Sequence, residues 1–120
     1  MTAAFALSID QLDRPEPRPP AECPVETWLA LLGHRWSALL LWHLQDGRLR
    51  FRDLRERLPR VTAKVLSERL ETLCRNGLLV RSETRGFPSE VSYTLSESGR
   101  ALMPILDEVE RWSRRYPRAS

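Results

Sequence analysis

The sequence predicts an α+β fold, mainly α, in which a helix-turn-helix is followed by a β-hairpin wing and flanked by extra N- and C-terminal helices. Three observations predict it. Two helical segments meet at a break of only Pro59, Arg60 and Val61, and helices joined by three or four residues form a helix-turn-helix. The apolar period then changes from 3.6 to 2 after Gly77, which marks strands. A long apolar stripe at helical spacing closes the chain, through Leu102, Ile105, Leu106, Val109 and Trp112.

Taken in order, residues 1–22 contain RPEPRPP (Arg14 to Pro20), which suits neither a helix interior nor a central strand and reads as a flexible arm. Residues 23–116 are expected to form one winged helix-turn-helix domain, with 117–120 a short tail. Val25, Trp28, Leu29 and Leu32 fall on one face of a first helix, with Pro24 in its first turn and Gly33 at its end. HRWSALLLWHLQDG follows, apolar nearly all round. It is expected to be a buried central helix opened by Arg35 and Trp36 and ended by Asp46-Gly47. RLRF is a strand fragment at most. Phe51, Leu54 and Leu58 give a third helix its face. Thr62 has the side chain of an N-cap for the fourth, in which Leu66, Leu70 and Leu73 share a face and Asn76-Gly77 closes the run. Leu78 and Val80 are expected to alternate with Leu79 and Arg81, and Val91, Tyr93 and Leu95 with Ser92 and Thr94, around the loop TRGFPS. Ser96 caps the last helix, which Pro104 is expected to kink.

At 120 residues, 42% hydrophobic and 29% charged, the composition is that of an ordinary soluble globular domain. No apolar run approaches the roughly 18 residues of a membrane span. The start lacks a basic region and Asp10 interrupts its apolar stretch, so a secretory signal is not expected. A cytoplasmic location follows, with Cys23 and Cys74 as free thiols. With two lone cysteines, and His34 and His43 lacking ligand-spaced partners, no metal site or cofactor is expected. No nucleophile–base pair, carboxylate pair or phosphate loop argues for an enzyme. Trp28, Trp36, Trp42 and Trp112 are read as packing residues, and Cys74 as a small buried filler.

Charge is unevenly distributed. The segment from Arg48 to Arg85 carries eleven basic and five acidic residues, a balance of +6 within a chain of net +3. Such concentration is the footprint of a nucleic-acid site; a solvated arginine-rich face is the plainer alternative. At about 100° per residue, Lys64, Ser67, Glu68 and Glu71 point away from the leucine face of the fourth helix. The N-terminal half of the second helix of such a motif enters the DNA major groove. Lys64, the only lysine in the chain, and Ser67 are therefore candidate DNA contacts, with Thr62 placed for a phosphate. Arg69, on the flank, either contacts DNA or braces the fold. Arg35, Trp36, Arg52, Arg81 and Arg85 are candidate phosphate contacts around them.

Laid out this way, the chain resembles the HxlR family of bacterial transcriptional regulators from Cys23 to about Tyr116. The residues that carry the resemblance are CPVETWLALLGHRWSALLLWHL, RFRDLRERLPRVTAKVLSERLETLCRNGLLVR and VSYTLSESGRALMPIL. They contain Cys-Pro before the first helix, Gly-x-x-Trp at the second, Phe-x-x-Leu in the third, Lys-x-Leu-Ser-x-Arg-Leu in the fourth and Tyr-x-Leu-(Ser/Thr)-x-x-Gly before the last. Glu68 departs from the uncharged polar residue common at its position. The resemblance implies a homodimer on a near-palindromic operator in double-stranded DNA, with the first and last helices as dimerisation helices. Val25, Trp28, Leu29 and Leu32 would then meet Leu102, Ile105, Leu106, Val109 and Trp112 at the interface. It also makes Cys23 a candidate sensor of an oxidant or electrophile, because a cysteine there serves some members in that way. The free N–H groups of a helix start favour a thiolate at this position, while Glu22 and Glu26 oppose one. The rival reading is a winged-helix module that binds protein and has no DNA-binding role.

Overall fold

A computed structural model of the protein describes residues 15–119. The expected arm falls largely outside these residues; within them, Pro20–Glu22 forms one 3-10 turn. The chain divides into two compact units at Leu31/Leu32. The first contains nearly all of helix α1 (Pro24–Leu32), which buries none of its residues. The second contains α2 (Ser37–Leu44), β1 (Leu49–Arg50), α3 (Phe51–Arg57), α4 (Ala63–Arg75), β2 (Leu79–Glu83), β3 (Val91–Leu95) and α5 (Glu97–Arg115). Its strands form an antiparallel sheet in the order β1-β3-β2. Helix-turn-helix plus hairpin makes this a winged helix-turn-helix.

The core of the second unit is built from leucine. Leu40, Leu41 and Leu44 of α2, Leu54 of α3 and Leu66, Leu70 and Leu73 of α4 are all essentially inaccessible, each contributing about 1.5–3 kcal/mol by leaving water. The α3/α4 corner has the expected turn chemistry. Thr62 Oγ1 accepts from Val65 N at 3.1 Å, and Asp53 Oδ2 accepts from Arg50 N at 2.9 Å to satisfy the start of α3. Helix α4 ends in a Schellman turn. Gly77, at φ 80°, lets Leu78 N reach the Leu73 carbonyl and Gly77 N the Cys74 carbonyl, both at 3.0 Å.

Three expectations are corrected. Helix α2 begins at Ser37, so Arg35 and Trp36 stand in the preceding turn. Trp36 is the N-cap, at φ 81° in the left-handed region, a conformation costing about 1–3 kcal/mol in a bulky residue. In the first wing strand, Leu78 and Leu79 are both buried and Val80 is exposed. Leu78 belongs to the helix closure rather than to the strand, and past Leu79 the expected alternation is lost: Val80, Arg81 and Glu83 are exposed and Ser82 is half-buried. On β3, Ser92 is buried beside Tyr93 and Leu95. It lies on the central strand, paired with Arg50 on one side and Ser82 on the other.

Helix α5 runs through Pro104 without a break. Trp42 Nε1 of α2 donates to Asp107 Oδ1 of α5 at 2.8 Å, and Met103 and Leu106 turn into the core. Met103 is a core residue that the stripe on Leu102 did not anticipate.

Candidate nucleic-acid interface

The exposed edge of α4 follows from its buried one. Because Leu66, Leu70 and Leu73 face inward, Lys64, Ser67, Glu68 and Glu71 are turned to solvent. Thr62 caps this edge at its N-terminus. The Thr62 hydroxyl uses its oxygen as an acceptor from Val65 N, which leaves its proton available to donate outward. Glu71 Oε1 is engaged by Arg75 at 2.8 Å.

A concavity of about 510 Å³ separates α4 from the sheet. Ser67, Glu71 and Cys74 line one side, and Arg81, Val91, Tyr93 and Phe51 the other. Ser67 and Arg81 are thus brought to one groove. Arg81 Nη1 also lies 3.6 Å from Glu83 Oε2. Burial raises both the Cys74 thiol and the Tyr93 phenol above their ordinary pKa values, with the Arg81 guanidinium acting in the opposite direction on each. Cys74, expected as a small buried filler, is half-buried and lines this groove.

Charges also gather around the start of α3, next to the Phe51 and Val91 side of the groove. Asp53 accepts from Arg50 Nε at 3.0 Å and from Nη2 at 3.1 Å. These hydrogen bonds hold the Asp53 carboxyl below its ordinary pKa and the Arg50 guanidinium above its own. Glu90, at the base of the wing, reaches both Arg50 and Arg52. Arg85 is exposed in the wing loop beside Gly86.

Arg35, Trp36 and Arg69 form a separate cluster. Arg69 Nε donates to the Arg35 carbonyl at 3.0 Å, and the Arg35 guanidinium carbon lies 5.1 Å from the Trp36 ring centroid. Of the two roles open to Arg69, this contact is the bracing one: it ties α4 to the turn before α2. Arg50 and Glu90, which the fold brings beside Arg52, were not among the residues anticipated for the candidate interface. Glu90 falls outside the basic segment, and the reach of its side chain is a property of the folded wing.

Cys23 stands at the start of α1, half-buried, with its carbonyl accepting from Thr27 N at 3.4 Å. On α5 and at its C-cap, Ile105, Val109, Trp112 and Tyr116 are all more than half exposed and recur at helical spacing. Among the described residues no group of His, Cys, Asp and Glu is assembled as a metal site, and no helix is long and apolar enough to cross a membrane.

The model of the HxlR-like helix-turn-helix family matches residues 31–120. The chain belongs to that family. Among its relatives is the uncharacterized HTH-type transcriptional regulator YdeP of Bacillus subtilis, 38% identical over 94 residues, which span 78% of this chain and 73% of YdeP. The reduced form of the transcriptional regulator YodB from B. subtilis superposes with a TM-score of 0.73 at 35% identity, over 79% of this chain and 94% of YodB. The redox regulator HypR in its reduced form gives 0.73 at 33% identity, over 78% and 92%. YodB is also known in diamide-treated and quinone-bound forms, and HypR in an oxidised form. This HxlR-like chain is a transcriptional regulator of the helix-turn-helix type, in a family of regulators and not of enzymes.

Proposed function

We propose that the protein works in the cytoplasm as a homodimer that occupies a near-palindromic operator and so controls the neighbouring promoter. The observation that carries this reading is the exposed polar edge of α4, set in a segment of local charge +6 and backed by a fully buried leucine face. That edge enters the major groove. Lys64 meets a phosphate or a guanine edge, Ser67 and Glu68 face base edges, and Thr62 donates its hydroxyl proton to a phosphate. Arg52, Arg81 and Arg85 contact the backbone on the wing side, Arg35 and Trp36 on the side of the turn before α2, and Arg69 holds that turn against α4. Lysine suits the leading position because its compact charge on a flexible stem tolerates more geometries than arginine's planar fork.

A dimer is supported by apolar stripes of the kind a two-fold interface uses: Val25, Trp28, Leu29 and Leu32 on α1, and Leu102, Ile105, Leu106, Val109 and Trp112 on α5. Leu106 is largely committed to the chain's own core, so Ile105, Val109 and Trp112 carry most of the contact. Two-fold pairing sets the recognition helices about 34 Å apart, one DNA turn. Fluorescence anisotropy on duplex DNA across a salt series tests the reading: log affinity falls linearly with log salt. A chain that binds no duplex at low salt is instead the protein-binding module.

Cys23 is the proposed sensor. The diamide-treated, quinone-bound and oxidised states of YodB and HypR support a redox or electrophile response, and Cys23 stands immediately before the first turn of α1. Cys74 is the poorer candidate because burial raises its pKa. Diamide or a quinone is expected to abolish operator binding by the wild type and to spare Cys23→Ser. Equal operator affinity before and after treatment in both proteins makes Cys23 structural.

A further inference from the structure

The charge count along the basic segment leaves out a carboxylate that the fold brings into it. Glu90 follows the wing loop in sequence and closes it with its main chain. Its carbonyl accepts from Thr84 N at 2.9 Å and its amide donates to Thr84 Oγ1 at 3.0 Å. Its side chain then turns toward α3. Oε1 lies 3.2 Å from Arg50 Nη1 and 3.3 Å from Arg52 Nη2.

The two arginines that share this oxygen differ. Arg50 is also gripped by Asp53, through Nε and Nη2. It keeps a counter-charge whatever Glu90 does. Arg52 has its side chain 65% exposed, and among the described residues Glu90 is the carboxylate paired with it. A carboxylate and a phosphate make the same kind of charge-assisted contact with a guanidinium, so they are alternatives for Arg52.

We infer that Glu90 is an affinity-setting residue that competes with DNA phosphate for Arg52. The inference rests on the DNA-binding reading above. For Arg52 to meet the backbone, the Glu90 ion pair must be broken or its negative charge must be carried up to the DNA; each weakens binding. The start of α3 survives the exchange because the Asp53–Arg50 pair does not depend on Glu90. The wing's ionic link to α3 and Arg52's hold on DNA therefore exclude one another in part. Exposed ion pairs are weak, so the effect is a modest and continuous setting of affinity rather than an on–off switch.

The test is a double-mutant cycle read by anisotropy on a fluorescent duplex of random sequence. The full chain is used as wild type, Glu90→Gln, Arg52→Gln and the double variant, at two salt concentrations. Glu90→Gln is expected to tighten binding about twofold to fivefold at the lower salt, the range an exposed ion pair allows. In the Arg52→Gln background the gain is expected to shrink nearly to nothing. Unchanged or weakened binding by Glu90→Gln overturns the inference. An equal gain in both backgrounds also overturns it, since that is general repulsion rather than competition for Arg52. Glu90→Asp, which withdraws the carboxylate by one methylene, gives the same comparison if a thermal melt shows the Gln variant unfolded. A wild type that binds no duplex fails the DNA-binding reading itself, whereas a wild type that binds with no Glu90–Arg52 coupling fails only this inference.

Discussion

Gly99 shows how one residue carries a packing requirement. It lies in the first turn of α5, outside the left-handed region that favours glycine, yet a Cβ there would overlap the Leu78 carbonyl oxygen, a backbone atom that cannot swing aside. The same carbonyl accepts from Ser96 N at 2.9 Å, and Ser96 and Ser98 both donate to the Gly77 carbonyl. The Schellman turn of α4 and the start of α5 are thus one joint. Gly99→Ala is expected to lower stability by about 1–3 kcal/mol, the range for overpacking, in a denaturant melt; an unchanged midpoint refutes the close approach. At Lys64, replacement by alanine is expected to weaken operator binding and, for a phosphate contact, to make the log–log salt slope less negative by about 0.9. Unaltered affinity removes Lys64 from the interface. Asp53 provides a pH dependence. Its pKa is lowered on folding by the Arg50 hydrogen bonds, so its contribution is fully present above the ordinary carboxylate value. It is lost as pH falls through the lower folded value. Asp53→Asn is therefore expected to melt below wild type at neutral pH, with the gap closing in strong acid. A gap that persists there assigns the effect to something other than ionisation.

Among the elements, the turn before α2 departs furthest from sequence expectation. Gly33 signals the end of α1, but nothing in His34-Arg35-Trp36 announces a left-handed tryptophan, because φ above zero is the habit of glycine and asparagine. The conformation is held from outside: Ser37 N bonds to the His34 carbonyl, Leu40 N to the Trp36 carbonyl and Arg69 Nε to the Arg35 carbonyl. Arg69→Gln is expected to lower stability by about 0.5–1.5 kcal/mol, the net value of one such bond, and to leave the salt slope of DNA binding unchanged. A slope less negative by about 0.9 with an unaltered melt would make Arg69 a phosphate contact instead. The wing illustrates the opposite case. Ser92 reads as the solvent side of an alternating strand, but β1 pairs on its other flank and Arg48 Nη1 donates to its hydroxyl at 3.2 Å. A two-residue strand on one flank and the Arg48 side chain were enough to cover a position that keeps its place on the face opposite Tyr93.

For the whole molecule, assembly is the main open expectation. The exposed run of Ile105, Val109, Trp112 and Tyr116, in which the Trp112 and Tyr116 rings lie 5.9 Å apart, is a contiguous apolar surface of the kind that marks interaction sites. Trp112→Glu places a charge at the centre of this stripe while sparing the buried Met103 and Leu106. It is expected to convert a dimer to a monomer in multi-angle light scattering at micromolar concentration. It should also cost more operator affinity than any one phosphate contact, since both half-sites then bind singly. A monomeric wild type under the same conditions refutes the dimer. The ionic ties along this helix, such as Arg114 Nε to Glu110 Oε2 at 2.9 Å, are surface pairs that contribute little by themselves.

The order of the elements, the capping roles of Thr62 and Ser96, the leucine face of α4 and the basic segment were all legible in the sequence. Each is written in near-neighbour chemistry: a hydroxyl three residues before an amide, leucines three and four apart, charges counted along a line. The family resemblance was legible for the same reason, since its motifs are those caps and faces. What only the tertiary structure decided involves residues distant in sequence. Arg69 bonds a carbonyl 34 positions away, Trp42 finds Asp107, and Glu90 reaches back over the sheet to Arg50 and Arg52. Gly99 has to be glycine because of Leu78. Side-chain reach and backbone approach across a fold are set by how helices and strands pack, and periodicity holds no record of them. The candidate interface divides accordingly: the α4 edge belongs to the sequence, and the carboxylates that offset its arginines belong to the fold.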